Sequence, residues 1–244
     1  MQKHPVGQGY EHPEMLVEPA WLHQNLETPG IRILDCDVPL MYTRGHIPGS
    51  VGIPASIHHY LKEPAEAGRE YGLHVMTPER FEPLMSQLGI GPDTLVVAYD
   101  SSRSLYATRA WWTLKYHGHE NVVVLNGGWD RWITEHRPVS VSAPSVQQTI
   151  FRSCLKPTMT CLIDEAMTQV NTNTTTFWDV RTNQEWTGDE TRGNQRSGHI
   201  PNSIHLEWSE LMTTDSNKTF RPASEMRERL EAMGITPNKQ VITY

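Results

Sequence analysis

Cysteine is scarce in this chain, and its spacing excludes two kinds of small scaffold. The 244 residues include three cysteines, Cys36, Cys154 and Cys161, and no Cys-x-x-Cys motif. An odd number of widely separated cysteines forms neither a disulfide framework nor a structural zinc site. The pattern is typical of a reducing compartment, so we expect a cytoplasmic protein that holds no metal.

Long apolar runs and an excess of positive charge are also absent. No apolar stretch approaches the length of a membrane span, and residues 1–14 lack the apolar centre of a secretion signal. The chain has 21 Lys and Arg against 28 Asp and Glu, a net charge of -7 at pH 7. We therefore expect a protein that binds neither membranes nor nucleic acid, and an anionic ligand would need local arginines.

A four-residue turn occurs twice in the chain, and the residues around it recur in the same order. Gly-His-Ile-Pro occupies positions 45–48 and again positions 198–201. The flanking counterparts, in chain order, are Asp35 and Asp179, Leu88–Ile90 and Met233–Ile235, and Val96–Tyr99 and Val241–Tyr244. A repeat of this length indicates a duplicated domain rather than a solenoid.

Short apolar runs alternate with helical patterns in both copies. In the first copy the runs Arg32–Asp35, Thr94–Tyr99 and Asn121–Leu125 predict buried strands. A helix that opens at Thr77-Pro78 and stops at Gly89 is predicted from its single apolar face. This alternation favours an α/β fold in which helices flank a parallel sheet.

The repeat also predicts how the chain is divided. We expect a first domain at residues 14–140, a linker at 141–160 and a second domain at 161–244. The linker is rich in Ser and Pro and shows no helical or strand period. We expect the second domain to be incomplete relative to the first, because the sequence stops at the counterpart of the strand that ends at Tyr99.

The order of these motifs resembles that of a rhodanese domain, and the two copies together resemble a tandem-domain thiosulfate sulfurtransferase. The resemblance rests on the repeated turn, on Val-Val-Ala-Tyr-Asp at 96–100, on the run from Gly118 to Trp129 and on Trp-Asp-Val-Arg at 178–181. It implies two parallel α/β domains and a reaction that needs no cofactor. In that reaction a cysteine takes the outer sulfur of thiosulfate as a persulfide and passes it to cyanide or a thiol.

The resemblance also implies where the nucleophile lies, namely in the second copy, directly after the central strand. In the first copy this position is Asp100, which cannot form a persulfide, so we expect that copy to be catalytically silent. In the second copy the position follows Tyr244, so we predict that the 244-residue chain holds no catalytic residue and is inactive. We interpret Cys36 as a small buried hydrophobe and Cys154 and Cys161 as incidental thiols.

Thiosulfate is a dianion, and an acidic chain must supply arginine to hold it. The resemblance places the family's substrate arginine at the position of Glu185, which has the opposite charge. Arg181, Arg192 and Arg196 lie nearby in sequence as candidates for substrate binding, and Arg181 equally suits an ion pair with Asp179.

The aspartates and histidines of the repeat are interpreted as structural. Asp35 and Asp179 end their strands and are expected to accept hydrogen bonds from backbone amides or arginine. Because the silent copy carries the same histidine, we interpret His46 and His199 as turn residues rather than as bases or metal ligands.

Two other functions remain open. A catalytically silent rhodanese-like binding or regulatory module fits the absence of a cysteine after either central strand. A 3-mercaptopyruvate sulfurtransferase differs from a thiosulfate sulfurtransferase only in loop residues that would follow Tyr244. A cysteine codon after Tyr244 would favour an enzyme, and a stop codon would favour the module.

Overall fold

A computed structural model describes residues 9–53, 75–170 and 172–244. These residues form two compact units. The first unit runs through Pro157 and includes Thr214–Thr219, and the second contains Thr158–Thr213 and Phe220–Tyr244. Within the described ranges, no helix has both the length and the apolar character that crossing a bilayer requires.

The first unit is built on a parallel sheet with the order β1-β5-β4-β2-β3 in the described residues. Its strands are β1 (Leu16–Val17), β2 (Ile31–Asp35), β3 (Val51–Gly52), β4 (Leu95–Tyr99) and β5 (Val122–Leu125). Strand β4 lies at the centre, and its residues 96–99 are fully buried. A central strand covered on both faces explains the uninterrupted apolar run, and the predicted parallel α/β fold is confirmed.

Within the described ranges, the helices of the first unit are α1 (Pro19–Gln24), α2 (Pro39–Arg44), α3 (Pro78–Gln87), α4 (Leu105–Tyr116) and α5 (Gly128–Thr134). Helix α3 follows the prediction, with Pro78 in its first turn and Phe81 and Met85 in the core. Helix α2 was not predicted from the sequence. Its apolar residues Leu40 and Met41 are exposed, so no buried face marks it in the sequence.

The core between the sheet and helices α1 and α5 is aromatic. Leu22 of α1, Tyr99 of β4 and Trp132 of α5 are each fully buried in one cluster. Val123 and Leu125 of β5 complete the cluster beside them. Burying such side chains contributes about 1.5–3 kcal/mol each, so this layer stabilises the unit.

The second unit contains a three-stranded parallel sheet in the order β7-β6-β8, counted over the residues that are described. Its strands are β6 (Thr175–Asp179), β7 (Ile204–His205) and β8 (Gln240–Thr243), and its helices are α6 (Ile163–Gln169), α7 (Asn183–Thr187) and α8 (Ala223–Ala232). Helix α8 ends before Gly234, whose φ of +79° suits glycine, as the sequence predicts. Asp179, at the end of β6, lies opposite His205 of the paired strand β7. In the first unit, Asp35 of β2 lies opposite Gly52 of β3 in the same way.

The predicted linker has no helix or strand between residues 142 and 156, and part of it is anchored to the first unit. Phe151 is 2% exposed, and its amide donates to Ser86 Oγ at 3.0 Å. The Ser153 amide donates to Glu82 Oε1 at 2.8 Å. The backbone amides of this segment therefore form hydrogen bonds with side chains of the first unit, and the segment forms no secondary structure of its own.

Candidate functional site

A buried aspartate–tyrosine pair ends the two central strands of the first unit. The Tyr99 hydroxyl donates to Asp35 Oδ2 at 2.5 Å. The same hydroxyl accepts the Ile47 amide at 3.1 Å and lies 3.2 Å from Ser50 Oγ. Through these contacts the tyrosine ties the Gly-His-Ile-Pro turn to the carboxyl ends of β2 and β4, which is the edge where parallel sheets bind ligands.

The second unit repeats this arrangement with its own residues. The Tyr244 hydroxyl accepts the Ile200 amide at 3.0 Å and donates to Ser203 Oγ at 2.8 Å. Asp179 ends β6 and is fully buried, as Asp35 is in the first unit. The repeated turn therefore holds the strand-end tyrosine in both units, and in the first unit it thereby positions the residue that follows the tyrosine.

In the first unit that residue is Asp100, and its carboxylate fills a cradle of backbone amides. Oδ1 accepts the amides of Ser102 and Ser104 at 2.8 and 2.9 Å. Oδ2 accepts the amides of Tyr106 and Ala107, in the first turn of α4, at 2.7 and 2.8 Å. Burial raises the pKa of Asp100, against the lowering effect of the four donors. Converging amides at a helix start are an anion-binding site, and here the chain's own carboxylate occupies it.

A glycine lies against the backbone of Asp100. The Trp129 amide donates to the Asp100 carbonyl at 2.8 Å. A Cβ on Gly128 would lie 2.2 Å from that carbonyl oxygen, and the φ of Gly128 is +50°. The Gly-Gly pair after β5 is thus required by the approach of two backbones rather than by a turn alone.

The two units differ in charge two residues after the strand-end aspartate. The first unit has Asp37 there, and its Oδ2 accepts the Ser101 amide at 2.8 Å. Burial, and then the nearby Asp35 carboxylate, raises the pKa of Asp37 to about 7. The second unit has Arg181 at the same position, so an acid in one unit is replaced by a base in the other.

Arg181 is engaged with the residues around it. Its Nε donates to Asp179 Oδ1 at 2.9 Å, and its Nη2 donates to Asp179 Oδ2 at 2.5 Å and to the Gly198 carbonyl at 2.9 Å. Its guanidinium also lies over the Tyr244 ring, 5.2 Å from the centroid. Although burial acts to raise it, the pKa of Asp179 is lowered, because Arg181 stabilises the carboxylate. The side chain remains 27% exposed at the carboxyl edge of the sheet.

The other predicted substrate contacts lie farther out. Glu185 forms a capping box with Thr182 at the start of α7 and pairs with Arg192 Nε at 3.3 Å. The side chain of Arg192 is 55% exposed. Arg196 lies on the exposed loop before the second turn. The structure thus gives Glu185 a helix-capping role and leaves Arg196 on the surface.

The histidines of the repeat are turn residues, as predicted. His46 is fully buried, and its ring nitrogens lie 2.8 Å from the Tyr42 carbonyl and 3.2 Å from the Ser142 carbonyl. His199 Nδ1 lies 2.9 Å from the Trp186 carbonyl. Each ring also stacks on an aromatic side chain of the preceding helix. Across the residues that the structure describes, no three His, Cys, Asp or Glu side chains are grouped to hold a metal ion.

A second histidine near this edge was not identified from the sequence. His205 stacks on Trp186 at 5.0 Å, and its Nε2 lies 2.9 Å from the Arg181 carbonyl. The equivalent position in the first unit is Gly52, where a Cβ would lie 2.8 Å from the Tyr42 ring. His205 therefore fixes the backbone of Arg181, a contact that the first unit has no space to make.

None of the three cysteines lies in a cradle of this kind. Cys36 is 1% exposed, and burial raises its pKa well above the usual thiol value, with a further rise from Asp100. The interpretation of Cys36 as a buried hydrophobe is confirmed. Cys154 is exposed and Cys161 is half-buried, and all three are free thiols.

Fold and site together define a chain of two rhodanese-like domains. The family model described as "Rhodanese-like domain" matches residues 18–135 and again residues 162–244. The chain therefore belongs to the rhodanese family, and it carries the domain twice.

Several curated proteins resemble the chain along nearly its whole length. It is 33% identical to the "Sulfur carrier protein TtuD" of Thermus thermophilus, over 97% of this chain and 84% of that protein. It is 34% identical to the "Putative thiosulfate sulfurtransferase SseA" of Mycobacterium leprae, over 98% of this chain and 80% of that protein. A crystal structure of SseA from Escherichia coli, titled as a 3-mercaptopyruvate sulfotransferase, shares the fold with a TM-score of 0.81 at 24% identity, covering 94% of this chain and 87% of that one.

Proposed function

We propose that this chain carries the scaffold of a thiosulfate sulfurtransferase in which the nucleophile occupies the position after Tyr244. The enzyme class is that of its family, because relatives at 29–34% identity are named thiosulfate sulfurtransferases. The observation that supports the position is the four-amide cradle on Asp100 in the first unit. The Tyr244 network supports the same placement in the second unit.

The chemistry follows from what such a cradle stabilises. A cysteine thiolate in it would attack the outer sulfur of thiosulfate, forming a new S–S bond while the S–S bond of thiosulfate breaks. Sulfite leaves with the electron pair, and the persulfide anion stays among the amides. Attack by cyanide or a thiolate on the outer sulfur then releases thiocyanate or a new persulfide and restores the thiolate.

The remaining predictions belong to the same proposal. Domain limits of 14–140 and 161–244, joined by a linker at 141–160, are supported by the two family matches at 18–135 and 162–244. Arg181 is the proposed anion contact nearest the cradle, and Arg196 a peripheral one. A reducing, cytoplasmic setting is supported by three thiols that are free in the structure.

A silent binding module is the second candidate, and one observation favours it. Asp100 fills the first cradle, so that copy keeps the fold without the nucleophile. In this alternative the 244 residues act through their surface and transfer no sulfur.

A cysteine placed in the first cradle tests the chemistry. We expect the native chain to release no thiocyanate from thiosulfate and cyanide, because none of its thiols lies among converging amides. Asp100→Cys should gain one sulfur atom by mass spectrometry after thiosulfate, lose it to cyanide and release thiocyanate above the blank. Asp100→Ser is the matched control, since its hydroxyl fits the cradle and forms no persulfide.

A folded Asp100→Cys chain that never acquires sulfur would contradict the proposal. Turnover by the native chain that is lost on mutating Cys36, Cys154 or Cys161 would also contradict it.

A further inference from the structure

A cavity of about 390 Å³ lies in the first unit, at the edge of the sheet opposite the Asp100 cradle. It is lined by Pro92, which precedes β4, and by Asn121, which precedes β5. Because the strands are parallel, this amino edge is separate from the carboxyl edge, where the cradle follows β4. The described lining residues run from Pro92 to Arg152, so the cavity is formed within the first unit.

One wall of the cavity belongs to residues 149–154, which lie between the C-terminal ends of helices α3 and α4. The Phe151 amide points to the side of α3 and donates to Ser86 Oγ at 3.0 Å. The Cys154 amide points to the other side and donates to the His117 carbonyl, just after α4, at 2.9 Å. The amides of this segment therefore alternate in direction, as they do along an extended chain.

This alternation leaves two amides on the side of the cavity. Those of Ile150 and Arg152 point to the same side as the Cys154 amide, and both residues line the cavity. Neither amide has an acceptor among the residues that the structure describes. Two backbone donors are thus available to a ligand that enters here.

The charged side chains of the lining favour an anion. Arg152 pairs with Glu82 through Nη1 at 3.0 Å, which leaves its Nε and Nη2 without a partner in the described ranges. Glu120, the acid of the lining, pairs with Lys115 at 2.6 Å and with Lys156. The carboxylate charge is therefore compensated by two lysines, whereas Arg152 keeps donors for a ligand.

The rest of the lining is apolar or uncharged. Pro92 and Ile150 are lining residues, and the Phe151 ring lies 5.8 Å from the ring of His119. His119 Nε2 lies 3.0 Å from the Thr94 carbonyl, and burial lowers the pKa of His119, so its ring is neutral at pH 7. Ligand pockets span about 300–1,000 Å³, so a cavity near the lower limit suits a single-ring molecule.

We propose that this cavity, here named the linker pocket, binds a small organic carboxylate whose apolar part is about the size of one ring. The carboxylate would accept hydrogen bonds from the amides of Ile150 or Arg152 and from the Arg152 guanidinium. The ring would lie against Pro92 and Ile150. A ligand bound here joins residues 149–154 to the loop before β5 and does not compete with an anion at the carboxyl edge of the sheet.

The test titrates 4-fluorophenylacetate into the full chain and follows it by fluorine NMR. We expect saturable binding at one site per chain, with shifts of the backbone resonances of Ile150 and Arg152. The neutral 4-fluorophenylacetamide has the same ring and should bind at least about tenfold more weakly, because it lacks charge-assisted hydrogen bonds. Equal affinities would overturn the anionic class of ligand, and no saturation by about 10 mM would overturn the pocket itself.

Paired variants locate the contact. Arg152→Gln should weaken binding about tenfold without unfolding the chain, because its ion pair with Glu82 is exposed. Arg227→Gln, at an exposed position of α8, is the matched control and should leave the affinity unchanged.

A second pair tests the apolar wall. Ile150→Ser should weaken binding at least about threefold, because it removes apolar surface from the pocket. Val141→Ser should have no effect, since Val141 is as exposed as Ile150, 70% against 68%, and does not line the pocket. Unchanged affinity in both Arg152→Gln and Ile150→Ser would overturn the proposal, because the probe would then bind elsewhere on the chain.

Discussion

The two units build the same hydrogen-bond network around a strand-end aspartate and tyrosine, yet they surround it with opposite charge. Tyr99 and Tyr244 each accept the amide of the isoleucine in the repeated turn, at 3.1 and 3.0 Å. Beside these networks the first unit places Asp37 and the second places Arg181. The tyrosines therefore determine the backbone structure at this edge, whereas Asp37 or Arg181 determines its charge. The first copy can keep the fold while the negative charge of Asp37 repels an anion.

The first unit carries this difference further, because it buries three carboxyl groups together. Burial raises the pKa of Asp35, Asp37 and Asp100, and the Asp100 carboxylate further raises the pKa of both Asp35 and Asp37. A dianion such as thiosulfate is repelled from that cluster, and an amide cradle already filled by a carboxylate has no room for it. At the position equivalent to Asp37, the second unit has the positive charge of Arg181, which would attract an anion instead of repelling it.

The largest expected difference between the units concerns their first helices. Leu22→Ala should lower the free energy of unfolding of the first unit by about 2–5 kcal/mol, because it opens a cavity in the core. Met167→Ala, at the equivalent position, should change stability by less than about 0.5 kcal/mol, because the side chain is exposed. Hydrogen exchange measured separately for the two units checks this. Equal losses of unfolding free energy in the two variants would contradict the different burial of Leu22 and Met167.

The tyrosines should also respond unequally to the same substitution. Tyr99→Phe removes the hydrogen bond to the buried Asp35 Oδ2 and the acceptor of the Ile47 amide, at a cost of about 1–3 kcal/mol. Tyr244 is half-buried and water can replace its hydroxyl, so Tyr244→Phe should cost less than about 1 kcal/mol. Chemical denaturation followed by exchange at the Ile47 and Ile200 amides measures both effects. A larger loss in the second unit would contradict the comparison.

A smaller effect is expected in the pH dependence of the first unit. The unfolded chain releases the Asp37 proton near pH 4, whereas the folded unit releases it at about 7. Between these values the native state binds more protons, so its free energy of unfolding falls as the pH rises. Asp37→Asn should remove this fall, stabilising the first unit by about 1–2 kcal/mol at pH 8 and by almost nothing at pH 4. Unfolding curves at the two pH values decide this; a stabilisation that does not change with pH would rule out titration of Asp37 as the cause.

Periodicity predicted the elements whose residues are buried on one face or on both. Strand β4 and helix α3 are of this kind, because their apolar residues form the core. Helix α2 escaped prediction since Leu40 and Met41 face solvent, so its sequence shows no buried stripe.

The site was predictable only as far as the repeat extends. Alignment of the two copies predicts Asp100 as the counterpart of the proposed nucleophile position. The four amides that hold its carboxylate come from a loop and a helix start whose convergence leaves no pattern in the sequence. The contact between His205 and the Arg181 carbonyl depends on strand register, which the sequence alone does not give.

The first unit holds an amide cradle on Asp100, and we propose that the charge at position 37 sets how readily a nucleophile in that cradle reacts with thiosulfate. The most direct test is the rate of persulfide formation from thiosulfate in Asp100→Cys, with and without Asp37→Asn. Removing a carboxylate beside the thiol should lower the thiol pKa and weaken repulsion of the dianion, so we expect the double variant to react about tenfold faster at neutral pH. An equal or slower rate in a folded double variant would contradict the claim.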